Sequence, residues 1–94
     1  MIKCNDNTVE ILTLNFHEDP GHAWVEVPME IINKLGIADK ISSYSYMCSG
    51  RAYLEEDCDA AVLFDALDAR AMPWTTKRLY REFTPIREFA RFSA

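Results

Sequence analysis

The densest group of chemically capable side chains is the run Glu55-Glu56-Asp57-Cys58-Asp59, which holds four carboxylates and one thiol. Carboxylate oxygens are the ligands that magnesium and calcium prefer, so a metal site is one interpretation of this run. An EF-hand loop, however, spreads its ligands over about twelve residues around a central glycine, and this run does not. We therefore predict no metal and no cofactor, and expect Asp57 or Asp59 to cap a following helix.

The two histidines of the sequence are a second group with chemical potential. His17 and His22 flank Glu18 and Asp19, and a folded loop could bring both imidazoles close to a carboxylate, as transition metals require. Their spacing matches no zinc motif of helical or knuckle type. A small metal- or ligand-binding protein that uses His17, His22 and nearby carboxylates is therefore the alternative functional hypothesis.

Nucleophilic catalysis finds no support in the sequence. Cys58 stands among carboxylates, whose charge disfavours the reactive thiolate, and no GxSxG, P-loop, GxGxxG or HExxH motif occurs. Cys4, Cys48 and Cys58 form an odd set without CxxC spacing, which is typical of reduced thiols. We predict a non-enzymatic, cytoplasmic protein with no catalytic residues.

Charge is distributed unevenly along the 94 residues, whose formal net charge is −5. Residues 1–69 hold four basic and thirteen acidic side chains, a net of −9, whereas residues 70–94 hold six basic and two acidic ones, a net of +4. A negative total makes direct binding to nucleic acid unexpected. It favours an acidic face that binds a protein with a basic surface; we predict for that face Glu55, Glu56, Asp57, Asp59, Asp65 and Asp68.

The basic residues near the C-terminal end alternate with apolar and aromatic ones. Three interpretations stay open: contact with nucleic acid, pairing with the chain's own acids, and closure of a homodimer by charge complementarity. The residues concerned are Lys77, Arg78, Arg81, Arg87 and Arg91.

Three tyrosines are further candidates for partner contacts, because a tyrosine combines a large apolar ring with a polar hydroxyl. We expect them to be partly buried, with their hydroxyl groups at the rim of a partner-binding surface. They are Tyr44, Tyr46 and Tyr53.

The secondary-structure elements that must position these groups are indicated by the sequence pattern. We predict that they form one α+β domain over residues 1–94. Apolar alternation and turn signals give the order ββαββαβ, an antiparallel sheet covered by one long and one short helix. Gly36 is predicted to end the first helix, and Pro20-Gly21 to form a type II turn between the first two strands. Strands are predicted at 8–16, 23–27, 43–48, 51–55 and 77–83, helices at 28–35 and 58–71, and a short helical element after Pro85.

No membrane-spanning or targeting segment is predicted. The longest apolar run, residues 60–64, has five residues, far short of the roughly 20 that a bilayer requires. Asp6 and Glu10 interrupt the order of charges that a signal peptide needs.

Three segments resemble a family of small uncharacterised proteins of proteobacterial phages, prophages and plasmids. They are residues 21–28 (GHAWVEVP), 35–46 (LGIADKISSYSY) and 53–60 (YLEEDCDA). The family has no assigned activity, so the resemblance implies no catalytic residue. It implies a context, because small acidic proteins of mobile elements often block host defence by occupying a surface meant for nucleic acid. An inhibitor of CRISPR or restriction machinery is therefore the expected function.

Overall fold

A computed structural model describes residues 10–94 of the chain. Cys4 and the first two residues of the predicted strand 8–16 lie outside the described residues. The strands are β1 (Leu12–Glu18), β2 (Ala23–Pro28), β3 (Tyr46–Cys48), β4 (Arg51–Glu55), β5 (Trp74–Tyr80) and β6 (Ala90–Arg91). The helices are α1 (Met29–Leu35) and α2 (Ala60–Ala69), and 3-10 turns form at Ala38–Lys40 and Pro85–Glu88.

The six described strands form one sheet in the order β5-β1-β2-β4-β3-β6. The elements follow the predicted order ββαββαβ as far as β5, and β6 is a further strand that the sequence did not predict. The pairs β1/β2, β2/β4, β4/β3 and β3/β6 are antiparallel, which confirms the predicted α+β class. The exception is β5, which pairs with β1 in parallel. Parallel strands require a crossover connection, and α2 supplies it between β4 and β5.

Side chains alternate between the two faces of this sheet. Val25 and Val27 of β2 and Leu54 of β4 point to the helices, where they join Ile32 and Leu63 in a single buried cluster. The opposite face, which we call the outer face, carries the alternate residues of the same strands. It is polar and aromatic rather than aliphatic, so it is the face on which the charged side chains meet.

Helix α1 ends at the predicted glycine but begins one residue later than predicted. Pro28, predicted as its first residue, is the last residue of β2 and has an extended backbone, with φ −60° and ψ 139°. Gly36 adopts φ 68° and ψ 30°, a left-handed conformation that a glycine takes without a Cβ clash. The amide of Ile37 then bonds to the carbonyl of Ile32 at 3.3 Å, and the Ile37 side chain packs into the core.

Two predicted elements are longer than the ones that form. Helix α2 spans Ala60–Ala69 instead of 58–71, and Ala71 beyond it has φ 54°. Strand β3 begins at Tyr46 instead of residue 43, because the turn that precedes it is held by a long-range hydrogen bond to Asp59. The alternation of residues along the sequence does not reveal a hydrogen bond between residues so far apart.

The C-terminal segment crosses the outer face. Strand β5 lies at one edge of the sheet and β6 at the other, so the chain between them has to pass over the intervening strands. Ile86 is buried on the way, and the Phe89 ring packs on Tyr53 with centroids 5.0 Å apart. The predicted strand 77–83 is observed at Trp74–Tyr80, where Trp74 stacks on Phe64 of α2.

Candidate partner-binding site

Glu55 is the first of the predicted surface acids, and the fold buries it. Its side chain is 10% exposed, and Oε1 accepts the backbone N–H groups of Asp57 and Cys58 at 2.8 and 3.0 Å. Oε2 lies 3.4 Å from Nδ1 of His22. Glu55 therefore satisfies the backbone donors of the turn before α2, a role that the sequence assigned to Asp57 or Asp59.

Asp59 is also buried, at 2% exposure, and no side-chain bond caps the helix from it. Its Oδ2 accepts the hydroxyl groups of Ser42 at 2.7 Å and Ser45 at 2.5 Å, and its Oδ1 accepts the amide of Ser42 at 3.1 Å. The Ser45 hydroxyl in turn accepts the amide of Glu55 at 2.9 Å. Asp59 thus ties the turn before β3 to the junction between β4 and α2.

Burial corrects the predicted acidic face. Glu55 and Asp59 act inside the fold and present no carboxylate to a partner, whereas the other four predicted acids are exposed. No ion pair within residues 10–94 involves these four; Asp68 only accepts the indole N–H of Trp74, at 2.8 Å. We call them the acidic surface: Glu56, Asp57, Asp65 and Asp68.

The basic segment pairs with the first hairpin and not with α2. Arg78 donates to Glu18 through Nε at 3.2 Å and through Nη2. Arg87 donates to Asp19 from Nε and Nη2, with three contacts of 3.0 to 3.1 Å, and its guanidinium lies over the ring of Trp24. Of the three interpretations of the basic segment, pairing with the chain's own acids is what these two arginines do.

The turn that receives Arg87 is organised by Asp19. Its Oδ1 accepts the amides of Gly21 and His22 at 2.9 and 2.8 Å, and Gly21 is absent from the glycines with positive φ. The predicted type II turn is therefore wrong, because an aspartate side chain bonds the backbone in its place. Although desolvation acts to raise it, the pKa of Asp19 is lowered by these amides and by Arg87.

A polar network occupies the outer face under the C-terminal segment. Glu26 accepts from His17 at 2.7 Å, from Asn15 at 3.3 Å and from Arg51. Desolvation would raise the pKa of Glu26, but these three partners outweigh it and hold that pKa below its ordinary value. Tyr53 packs on His17 beside this network, and its own pKa is raised by burial and by the Glu26 charge.

The two histidines contact different carboxylates. His17 lies against Glu26, and His22 lies against Glu55. In the described part of the chain, no group of three or more His, Cys, Asp or Glu side chains could hold a metal ion.

The pKa of the Cys58 thiol is raised, by desolvation first and then by Glu55 and the neighbouring aspartates.

A cleft of about 400 Å³ opens on the outer face beside the acidic surface. Two of the predicted aromatic contacts line it, Tyr44 and Tyr46, together with Asp57 and the buried Glu55; Tyr53 does not. Sequence reasoning missed Trp24 altogether. It named the other wall residues only as parts of separate groups, because they meet only when the C-terminal segment crosses the sheet; these are His22, Arg87 and Arg91.

Comparison with protein families, with curated proteins and with solved structures finds no match for this chain. Among the helices that residues 10–94 form, none combines the length and the hydropathy that crossing a membrane requires.

Proposed function

We propose that the protein is a non-enzymatic binding protein whose acidic surface docks on a basic surface of a host protein and blocks access of nucleic acid to it. The observation that carries this proposal is the distribution of ion pairs. Arg78 and Arg87 neutralise Glu18 and Asp19 on the first hairpin, so they are not available to neutralise the acids around α2. Those acids keep their charge for a partner.

The placement of the acids suits such a contact. Asp65 and Asp68 are three residues apart on α2, and side chains at this spacing lie on one face of a helix, about 5–6 Å apart at Cβ. Glu56 and Asp57 extend the negative charge into the turn before the helix. A rigid row of carboxylates attracts the lysines and arginines that otherwise bind phosphates.

The resemblance to proteins of phages, prophages and plasmids supports the choice of partner. Proteins that defend a bacterial cell against mobile elements bind DNA or RNA on basic surfaces, as CRISPR and restriction machinery does. We therefore propose an anti-CRISPR or anti-restriction type of inhibition, in the cytoplasm of the host. A homodimer closed by charge complementarity is the competing use of the same charges, because its two-fold interface would cover the acidic surface of both copies.

The test is capture on the immobilised full chain from nuclease-treated lysate of a proteobacterial host. We expect a nucleic-acid-binding protein to be retained at low salt, released at high salt, and displaced by added double-stranded DNA or RNA. Retention that ignores salt, or that nucleic acid does not displace, would overturn the proposal. So would the absence of any retained protein at low salt.

Two charge-matched variants locate the contact. The acidic-surface variant combines Glu56→Gln, Asp57→Asn, Asp65→Asn and Asp68→Asn, and the control variant combines Glu10→Gln, Glu30→Gln, Glu82→Gln and Glu88→Gln. All eight residues are exposed and both variants remove the same charge. The proposal requires the first variant to lose the captured protein and the second to keep it.

A further inference from the structure

The cleft on the outer face has walls of contrasting chemistry. Its floor is aromatic, with Trp24 of β2 and Tyr46 of β3 in edge contact at 6.4 Å between ring centroids. Arg87 lies over the Trp24 ring, 5.3 Å from its centroid, and Arg91 lies over the Tyr46 ring at 4.9 Å. Two guanidinium groups from the C-terminal segment thus face one side of a cavity large enough for a small molecule.

Several hydrogen-bond donors around this cleft have no acceptor within the described residues. Trp24 is 2% exposed, and its indole N–H is buried without a partner. Arg87 uses Nε and Nη2 on Asp19, which leaves Nη1, and Arg91 makes one hydrogen bond, from Nη1 to the Ser43 carbonyl at 3.1 Å. The indole N–H of Trp24 has almost no accessible surface, so the arginine N–H groups are the donors that a ligand in the cleft can reach.

Acceptors in the cleft are mostly occupied already. Both oxygens of Glu55 have partners, Oε1 two backbone amides and Oε2 the His22 ring, so Glu55 keeps its charge but has few lone pairs left for a further donor. Asp57 is the exposed carboxylate that remains among the residues lining the cleft. Nη1 of Arg87 and the remaining N–H groups of Arg91 are charged donors without a described acceptor, so they favour a ligand that brings anionic acceptor oxygens to the arginine side of the cleft.

Tyr44 supplies the second half of the recognition. The residue is 64% exposed and lines the cleft, and its ring stacks on no other ring or cation in the described part of the chain. A flat apolar surface of this kind binds another aromatic ring by offset or edge stacking. From the donors and this ring together, we infer that the cleft binds a small planar aromatic molecule that carries a carboxylate or phosphate group.

The test follows the two indole N–H signals of the full chain by NMR during titration with phenyl phosphate. The chain has two tryptophans, so a Trp74→Phe variant assigns both signals. We expect the Trp24 signal to shift and saturate with a Kd of about 1 mM, the affinity of a good fragment of this size, while the Trp74 signal stays in place. No saturable shift at Trp24 would overturn the inference.

Four related compounds resolve what is recognised. Benzoate in place of phenyl phosphate distinguishes a carboxylate ligand from a phosphate ligand. Inorganic phosphate lacks the ring and phenol lacks the charge, so each should bind at least about tenfold more weakly than phenyl phosphate. Equal binding of inorganic phosphate would show that the ring is not recognised, and equal binding of phenol would show that the anionic group is not recognised. Tighter binding of benzamidine, a planar cation, would overturn the anionic assignment.

Variants test the wall residues without touching the core. Arg91→Ala should weaken phenyl phosphate binding about tenfold, and the matched Arg81→Ala, whose residue is exposed and outside the cleft, should leave it unchanged. Asp57→Asn should strengthen it a few-fold, because like charge is removed. Weaker binding by Asp57→Asn would show a cationic or zwitterionic ligand and contradict the inference.

Discussion

The first hairpin and the region around α2 use acidic residues in opposite ways. On the hairpin, Glu18 pairs with an arginine of β5 and Asp19 pairs with an arginine of the C-terminal segment. Around α2, Asp65 and Asp68 form no ion pair with the described residues, although basic side chains such as Lys77 and Arg81 form none either. The net charge of −5 is therefore an average over two different regions. The acids of the first hairpin are neutralised by ion pairs, and the acids around α2 are not.

A similar contrast exists between buried and exposed carboxylates within one short run. Asp59 accepts three hydrogen bonds from two serines, whereas its neighbours Glu56 and Asp57 are open to solvent. The buried acid holds the fold and the exposed acids are available to a partner. Mutations at the two kinds of position should therefore separate stability from binding.

The largest expected effect on stability is that of Asp59→Ala. It leaves the Ser42 amide and two serine hydroxyl groups without their acceptor in a buried place, which should reduce the free energy of unfolding by about 3 kcal/mol. Urea denaturation measures it, and Asp65→Ala on the exposed face of α2 is the control, expected within about 0.5 kcal/mol of the wild type.

If Asp59→Ala does not fold, Ser42→Ala tests the same network with a smaller loss of about 1 kcal/mol, since it removes one hydroxyl donor. Equal stabilities of Asp59→Ala and Asp65→Ala would contradict the division between buried and exposed acids.

The next largest effect is expected for Glu26→Gln, about 2 kcal/mol at neutral pH, because a charged acceptor with three partners becomes neutral. Since the folded state lowers the pKa of Glu26, its stabilisation is present above the ordinary carboxylate range and is lost as the pH falls through the lowered value. Unfolding curves in urea should therefore converge for wild type and variant at acidic pH, and a gap that stays constant would refute the network.

Arg87→Ala should cost less, about 1 kcal/mol, since the pair with Asp19 is partly exposed on the arginine side at 46%. A double-mutant cycle with Asp19→Ala should give a coupling energy of about 0.5–1 kcal/mol that salt reduces. Arg81→Ala, which removes an exposed arginine with no ion pair among residues 10–94, serves as the matched control. Zero coupling between Arg87 and Asp19 would remove the distinction between the hairpin and α2.

The smallest effect on stability is expected for the acidic-surface variant. Its four residues make no ion pair with described residues, so thermal unfolding should show a change within about 0.5 kcal/mol per site, with relief of repulsion acting in the stabilising direction. A larger loss would mean that these acids support the fold and would undermine their assignment to a partner.

Local patterns predicted the elements better than the connections between them. Gly36 determines the end of α1 through its own backbone preference, and Pro28 locates the start of α1 to within one residue. The parallel pairing of β5 with β1 joins Leu12 to Trp74, and the cleft joins Trp24 to Arg87. These long-range contacts depend on the path of the whole chain. Composition and the spacing of residues carry no information about that path.

The same limit explains the outcome for the predicted site. Exposed Asp65 and Asp68 could be predicted because helical spacing separates the polar face of α2 from its buried face. Asp59 could not, since its partners Ser42 and Ser45 lie 17 and 14 residues away and only the folded turn brings them together. Acidic residues that are adjacent in sequence therefore have different roles in the fold.

The measurement that tests the central claim most directly is the Kd of the captured host protein for the wild type, the acidic-surface variant and the charge-matched control variant at low ionic strength. Each lost ion-pair contact is worth on the order of 0.5–1 kcal/mol, so four should weaken binding by about thirtyfold or more. We predict that loss for the acidic-surface variant and less than about a threefold change for the control. Equal weakening by both variants would contradict the account, because total charge and not the α2 surface would then drive the interaction.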